Sequence, residues 1–140
     1  MQPLDIDHKA LETAAEILGN NGPIAMVNLL RYREVAAYGT AVAATPCSGK
    51  AAYYARYLPA FSAVPGAEQA KVVWIGNAHG VLVGARGEVW DDIAIVEYPS
   101  MKVFREIVEH PKYKSDADPH RAAALADWRF IVTTPAQLPG

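Results

Sequence analysis

The sequence has only one cysteine, Cys47, in 140 residues. No disulfide can form within the chain and no paired-cysteine metal motif is possible, which suits a reducing compartment. Long apolar runs are missing too, none approaching the ~20 residues that cross a bilayer. Positive charge is not in excess: 13 Lys and Arg stand against 15 Asp and Glu, a formal net charge of −2, with no cationic stripe to displace counterions from nucleic-acid phosphates. Glycines occur in GNAHGVLVGARG, but no helix follows to make a phosphate cradle. His8, His79, His110 and His120 include no helical i, i+4 pair, and Asp116, Asp118 and His120 alternate without the glycine of a calcium loop. No metal, cofactor, nucleic-acid or membrane partner is expected. The N-terminal MQPLDIDHKALETAAEIL carries aspartates where a signal peptide is positive, and Glu12 and Glu16 interrupt its apolar positions. The expectation is a cytoplasmic chain that keeps this segment.

What is present is ample core material. Hydrophobic residues make up 51% of the chain, and a domain of this size buries roughly 68–70% of its unfolded surface without staples. A single domain is expected, with a helical extension over 1–22, a core over 23–134 and a tail over 135–140. Leu11, Ala14, Ala15 and Leu18 recur at helical spacing, with Asp5 or Asp7 to cap and Gly19 to stop. IAMVNLLRY reads as a strand from about Ile24 to Arg31, buried on both faces. The long apolar loop EVAAYGTAVAATPC over 34–47 reads as either a lid or an arm lying on another surface. Ser48 caps a helix carrying Tyr54, Tyr57, Leu58 and Phe61, in which Pro59 predicts a kink. Core packing accounts for Tyr54 and Tyr57, and Tyr53 falls on the other side, toward an interface. KVVWIG and WDDIAIVEY read as strands, and VLVGA between them can pair back as a hairpin. Alternation puts Ile93, Ile95 and Glu97 on one face and Ala94, Val96 and Tyr98 on the other. Ser100 caps SMKVFREIVEH, PHRAAALAD gives another short helix, and WRFIVTT a last strand.

With the first helix and the VLVGA hairpin set aside, the order is strand, helix, strand, strand, helix, strand. The expected class is therefore α+β, a ferredoxin-like split βαβ sandwich with an antiparallel sheet. Its strands are apolar on both faces, so the face without helices needs a cover. A second copy related by a twofold axis is the economical one.

PIAMVNLLRYRE, and above all DDIAIVEYPSMKVFREIVEHPKYKSDADPHRAAALADWRFIV, resemble the domain of unknown function 1330 family, in the dimeric α/β-barrel superfamily. The residues that carry the resemblance are Glu97, Tyr98, Pro99, Ser100, Pro111, Tyr113, His120, Arg121 and Trp128. The match runs from about Ile24 to Thr133; the first helix and the long loop depart from the compact pattern. The resemblance implies a homodimer whose two sheets close into a barrel. It implies no reaction.

Candidate site residues follow from polarity in apolar surroundings. Asn28 and Glu97 each interrupt a strand, and facing the same way they would hydrogen-bond; otherwise Glu97 in an apolar pocket would be a base with a raised pKa. His120 and Arg121 fill the first turn of a helix capped by Asp118, where positive charge is disfavoured, so a partner is expected for Arg121: Asp127, Glu97 or a bound anion. His110, at a helix end, is expected to donate to free carbonyls or to interact with the helix dipole. The candidate catalytic residues are Glu97 and His120. The candidate ligand-binding residues are Asn28, Arg31, Trp74, Tyr98, Tyr113, Arg121 and Trp128, with Trp90 as a further wall. Cys47 lies near a helix N-terminus but has no His or Asp beside it in sequence, which leaves little for a nucleophile to use.

Three functions are open. One is a homodimer binding a small apolar or aromatic molecule between sheet and helices. Another is a cofactor-free monooxygenase or isomerase of a small aromatic or lactone, by fold analogy alone. The third is a structural interaction module with a filled barrel.

Overall fold

The computed structural model describes residues 4–40 and 44–139. Helix α1 (His8–Leu18) starts where Asp7 Oδ1 accepts from the Lys9 and Ala10 amides at 3.0 and 3.1 Å. It stops at Gly19, whose φ of 68° suits a residue without Cβ. Of the two aspartates considered as caps, Asp7 takes the role. Strand β1 (Ile24–Tyr32) follows.

The second helical stretch is composite. A turn of α2 (Gly49–Ala51), capped by Ser48 at 3.0 Å, gives way to a π-turn (Ala52–Tyr57) and then α3 (Leu58–Ser62). Instead of a plain kink, Pro59 follows a wider turn in which the Leu58 amide donates to the Tyr53 carbonyl five residues back. The device recurs. In a second π-turn (Tyr113–Ala117) the Asp118 amide donates to Tyr113, and Pro119 comes next.

Strands β2 (Lys71–Asn77) and β3 (Asp92–Tyr98), helix α4 (Met101–Val108, capped by Ser100), helix α5 (Asp118–Ala124) and strand β4 (Leu125–Thr133) complete the fold. The four strands form one antiparallel sheet in the order β2-β3-β1-β4. This is the α+β arrangement expected, with the split βαβ strand order. Residues 125–127, which close the expected helix PHRAAALAD, lie outside α5. They belong to β4, because Leu125 pairs with Tyr32 and is fully buried. The VLVGA segment forms bends and no strand; it has no ladder partner, and Leu82 is 97% exposed.

One sheet face packs on the helices through Ile24, Met26 and Leu30 of β1 with Phe104 and Ile107 of α4, all buried. The other face is open. Val27, Leu29, Ile93 and Ile95 are half-buried there, Ile131 is exposed, and Trp74 is 61% exposed.

The loop over 34–47 is pinned to the end of α5 rather than laid across the sheet. The Ala37 amide donates to Ala123 O at 2.8 Å, Arg33 to Ala124 O at 2.8 Å, and Ala36 to Cys47 O at 2.9 Å. Residues 41–43 of this loop lie outside the described residues. Gly49 sits where this loop re-enters: a Cβ there would collide with the carbonyl oxygens of Arg33 and Ala124. Among the described residues no helix is long and apolar enough to cross a membrane.

Candidate functional site

A cavity of about 230 Å³ lies between sheet and helices. Its floor is the helix-facing row of the sheet: Asn28 from β1, Val96 and Tyr98 from β3, Trp128 and Phe130 from β4. Its roof comes from the two π-turns and their continuations, which supply Tyr53, Tyr57, Phe61 and Tyr113, with Arg121 from α5. A π-turn inserts one residue into the helical repeat and so re-aims the side chains that follow. Here Tyr53 and Tyr57 both turn inward and are buried. A second cavity of about 280 Å³ adjoins the first and shares Ile6, Phe104, Trp128 and Phe130 with it; α1 forms its outer wall through Ala10, Leu11 and Ala14.

The aromatic walls are held by one another. Tyr113 meets Tyr57 and Phe61 edge-on, with centroids 6.3 and 6.1 Å apart, and Trp128 stacks on Phe130 at 4.8 Å. Tyr57 and Tyr113 share a hydroxyl hydrogen bond of 3.1 Å. Burial, and then the neighbouring phenols, push the pKa of Tyr53, Tyr57 and Tyr98 upward; Tyr113 rises as well, chiefly through burial. All four are neutral donors at physiological pH. Asn28 is satisfied on both ends, accepting from Trp128 Nε1 at 3.1 Å and donating to Ala94 O at 3.3 Å.

Arg121 is the charged group of the cavity, its side chain only 3% exposed. Nε donates to Asp118 Oδ1 at 2.8 Å, Nη1 to the Leu4 carbonyl at 2.6 Å and Nη2 to Asp5 Oδ1 at 3.0 Å. The guanidinium carbon lies 4.6 Å from the Trp128 ring centroid. Burial opposes its charge, but the Asp118 hydrogen bond and neighbouring charge outweigh that, and its pKa is raised. The partners expected for Arg121, Asp127 and Glu97, are not the ones found. Asp118 faces Arg121 one turn on and makes no cap hydrogen bond to α5, and Asp5 comes from the segment ahead of α1.

Asn28, Tyr98, Tyr113, Arg121 and Trp128 thus converge on one cavity. Arg31, Trp74 and Glu97 do not reach it. Glu97 pairs with Ala25 in the ladder and is exposed on the open face, whereas Asn28 pairs with Ala94 on the helix face, so the two side chains cannot meet. Arg31 has the same parity as Val27 and Leu29; it pairs with Asp127 and lies by Trp90 and Arg129. Trp74 is displaced by a bulge between Val72 and Trp74, which sets Val72 opposite Val96 but Trp74 opposite Ile95. Without that extra residue Trp74 would share the face of Val72, a cavity residue. Trp90 donates to Glu88 at 2.6 Å outside the cavity. His120 points away from Arg121 to Tyr38, with Nδ1 2.6 Å from the hydroxyl, and burial followed by the Arg56 charge lowers its pKa. His110 Nδ1 accepts from the Lys112 amide at 3.0 Å instead of donating to carbonyls.

Sequence reasoning missed Tyr53 as a cavity wall, the Asp5–Ile6 segment and a second buried charge, Asp92. The signal for the first was present in the prolines at 59 and 119, each two residues past the end of a π-turn. Asp92 accepts from Tyr32 and Tyr54 hydroxyls at 2.6 Å each and from Asn77 Nδ2 at 2.8 Å. Among the described residues no cluster of three or more His, Cys, Asp or Glu is placed to hold a metal.

No family model matches the sequence, and no curated protein does. Among solved structures, the RPA0582 protein of unknown function from Rhodopseudomonas palustris is 33% identical with a TM-score of 0.82, over 99% of this chain and 100% of that one. This chain belongs to the family of that Rhodopseudomonas protein. A second crystal structure, of methylated RPA0582, gives 33% identity and a TM-score of 0.79 over 97% and 96% of the two chains. Relationship over the full length puts α1 and the long loop inside the shared architecture.

Proposed function

We propose that the protein is a homodimer that binds a small aromatic molecule in the cavity between sheet and helices. The observation that carries the binding reading is the lining: aromatic walls with a few convergent polar groups, namely the Tyr57–Tyr113 hydroxyl pair, Asn28 and Arg121. Its volume suits one substituted ring, since an apolar cavity of roughly 150 Å³ accepts benzene. Acid–base catalysis has less to work with. The cavity phenols are held neutral, Glu97 is on the other sheet face and His120 faces Tyr38.

The dimer rests on the open sheet face. Val27, Leu29, Ile93, Ile95, Ile131 and Trp74 form a contiguous apolar strip, and a twofold mate would bury it against itself, as the resemblance to the domain of unknown function 1330 family implies. Cytoplasmic residence goes with the lone free thiol, Cys47.

Titration with phenol, indole and benzyl alcohol, followed by calorimetry and tryptophan fluorescence, tests the cavity. Binding is expected in the wild type and loss of it in Val96→Phe, which fills the space; equal affinity in both would overturn the reading. Sedimentation tests the dimer: a two-subunit species at micromolar concentration is expected, and Trp74→Glu should yield monomers. A monomeric wild type would refute it.

A further inference from the structure

Arg121 offers more than a satisfied core charge. A guanidinium carries five N–H donors, and hydrogen bonds to Asp118, Leu4 and Asp5 use three of them, one at each nitrogen. The remaining two belong to Nη1 and Nη2 of a side chain that lines the cavity. Its charge draws the pKa of Tyr53 down, and its charge together with a side-chain hydrogen bond lowers that of Tyr113, so these donors already reach a cavity hydroxyl, though burial remains the larger effect on both phenols. The two carboxylates on Arg121 are unequal. Asp118 sits three residues away on the same helix at 2.8 Å, while Asp5 reaches in from the segment before α1, makes one contact at 3.0 Å and leaves its side chain 88% exposed. An ion pair with one partner in water contributes little, so its carboxylate is cheap to exchange. Ile6, the next residue, lines both cavities, so the strap that carries Asp5 also sits at their junction.

We infer that the ligand of this cavity is a single-ring aromatic carboxylate, and that Asp5 is its built-in stand-in: the ligand's carboxylate takes the place of Asp5 on Arg121 while its ring packs among Tyr57, Tyr113 and Trp128. This rests on the binding reading above and names the ligand class. Bidentate pairing of a carboxylate with a planar guanidinium supplies the orientation, and the neutral phenols supply donors to the second oxygen. The exchange keeps the charge balance of the cluster, one guanidinium to two carboxylates, so the ligand enters without stranding a buried charge.

The test compares benzoate and phenylacetate with the neutral benzamide and benzyl alcohol, by calorimetry at pH 7.5 on the full chain, in wild type and Asp5→Ala. Wild type should prefer the carboxylates. Asp5→Ala should tighten benzoate about fivefold, the equivalent of one exposed ion pair, and leave benzyl alcohol unchanged. A strap with a merely structural role would shift both ligands by the same factor, and that result overturns the proposal. Arg121→Lys should lower the ratio of benzoate to benzyl alcohol affinity; because Asp5 is exposed, the Asp5→Ala result stands even where the Arg121 variant does not fold. Neutral rings binding while carboxylates fail would refute the carboxylate and spare the cavity. No binding by any probe in either protein would refute both.

Discussion

Two charged side chains are buried among the described residues, Asp92 at the start of β3 and Arg121 on α5, and they are satisfied in opposite ways. Asp92 accepts from Tyr32 of β1, Tyr54 of the first π-turn and Asn77 of β2, three neutral donors fixed by three elements of the fold. Arg121 leans on two carboxylates and a carbonyl, of which Asp5 and Leu4 belong to a segment outside any helix or strand. Asp92 adjoins a polar groove with Lys50 and His79; Arg121 lines the aromatic cavity. The difference separates a charge tied by neutral donors on the sheet and the helical layer from one that lines a cavity and shares a solvent-facing counter-charge. Neutral donors on rigid elements leave nothing to exchange, whereas a solvent-facing counter-charge does.

The largest effect should come from removing the tie. Asp92→Ala leaves two phenols and an amide without their shared acceptor, and a loss of about 4 kcal/mol in urea unfolding is expected. A loss below about 1 kcal/mol would erase the distinction. Arg121→Met keeps volume and stem while removing charge; Asp118 is 39% exposed and can be hydrated, so the cost should be smaller, about 1–2 kcal/mol. If Arg121→Met proves as damaging as Asp92→Ala, Arg121 is a structural tie as well.

Strand and helix order, the Ser48 and Ser100 caps and the Asp7–Gly19 bounds of α1 are local signals of capping and periodicity, and they are found as expected. Asn28, Tyr98, Tyr113, Arg121 and Trp128 stand out as polar or large residues on strands and short helices, and the fold brings them together. Glu97 and Arg31 miss because strand parity decides which face a residue takes, and the partners across the sheet are needed to assign that face to the core. Trp74 misses through one bulged residue. Asp92 was hidden inside WDDIAIVEY, where adjacent aspartates look alike. Asp91 takes the Tyr32 amide and stays exposed, while Asp92 turns inward. Asp5 read as a possible helix cap because its real partner lies 116 residues away.

Below these in size is Asp5→Asn, for which a stability change under about 1 kcal/mol is expected on thermal unfolding. A larger loss would make the strap a structural tie rather than an exchangeable one. Acid titration then sharpens the contrast. Burial raises the Asp92 pKa, but the Tyr32, Tyr54 and Asn77 hydrogen bonds and the Lys50 charge outweigh it, so the folded value lies below the ordinary 3.8. A carboxylate with a depressed folded pKa contributes stability that is complete above its unfolded value and is lost as pH falls through the folded one. The stability of the wild type should therefore fall more steeply below pH 3.8 than that of Asp92→Ala, read as denaturant midpoints between pH 2.5 and 5. Arg121 keeps its charge throughout and adds no slope of its own.

The smallest effect concerns His120, the neighbour of Arg121 that turns the other way. Burial and then Arg56 hold its pKa below the ordinary 6.5, so the folded chain prefers the neutral ring. The unfolded chain binds the extra proton first as pH drops, and stability present above pH 6.5 declines through the folded pKa. The groups that face the ring are Tyr38, through the 2.6 Å hydrogen bond, and Arg56, whose guanidinium carbon lies 5.3 Å from the Tyr38 ring centroid. Protonation would set a second positive charge beside Arg56 and take away the acceptor role of Nδ1, loosening the loop that Tyr38 anchors. His120→Gln keeps a side chain able to hydrogen-bond Tyr38 without titrating, and it should flatten the shallow slope between pH 7 and 5 while leaving benzoate affinity at pH 7.5 unchanged. A change in that affinity would place His120 inside the ligand site, and the separation between the two sides of α5 would fail.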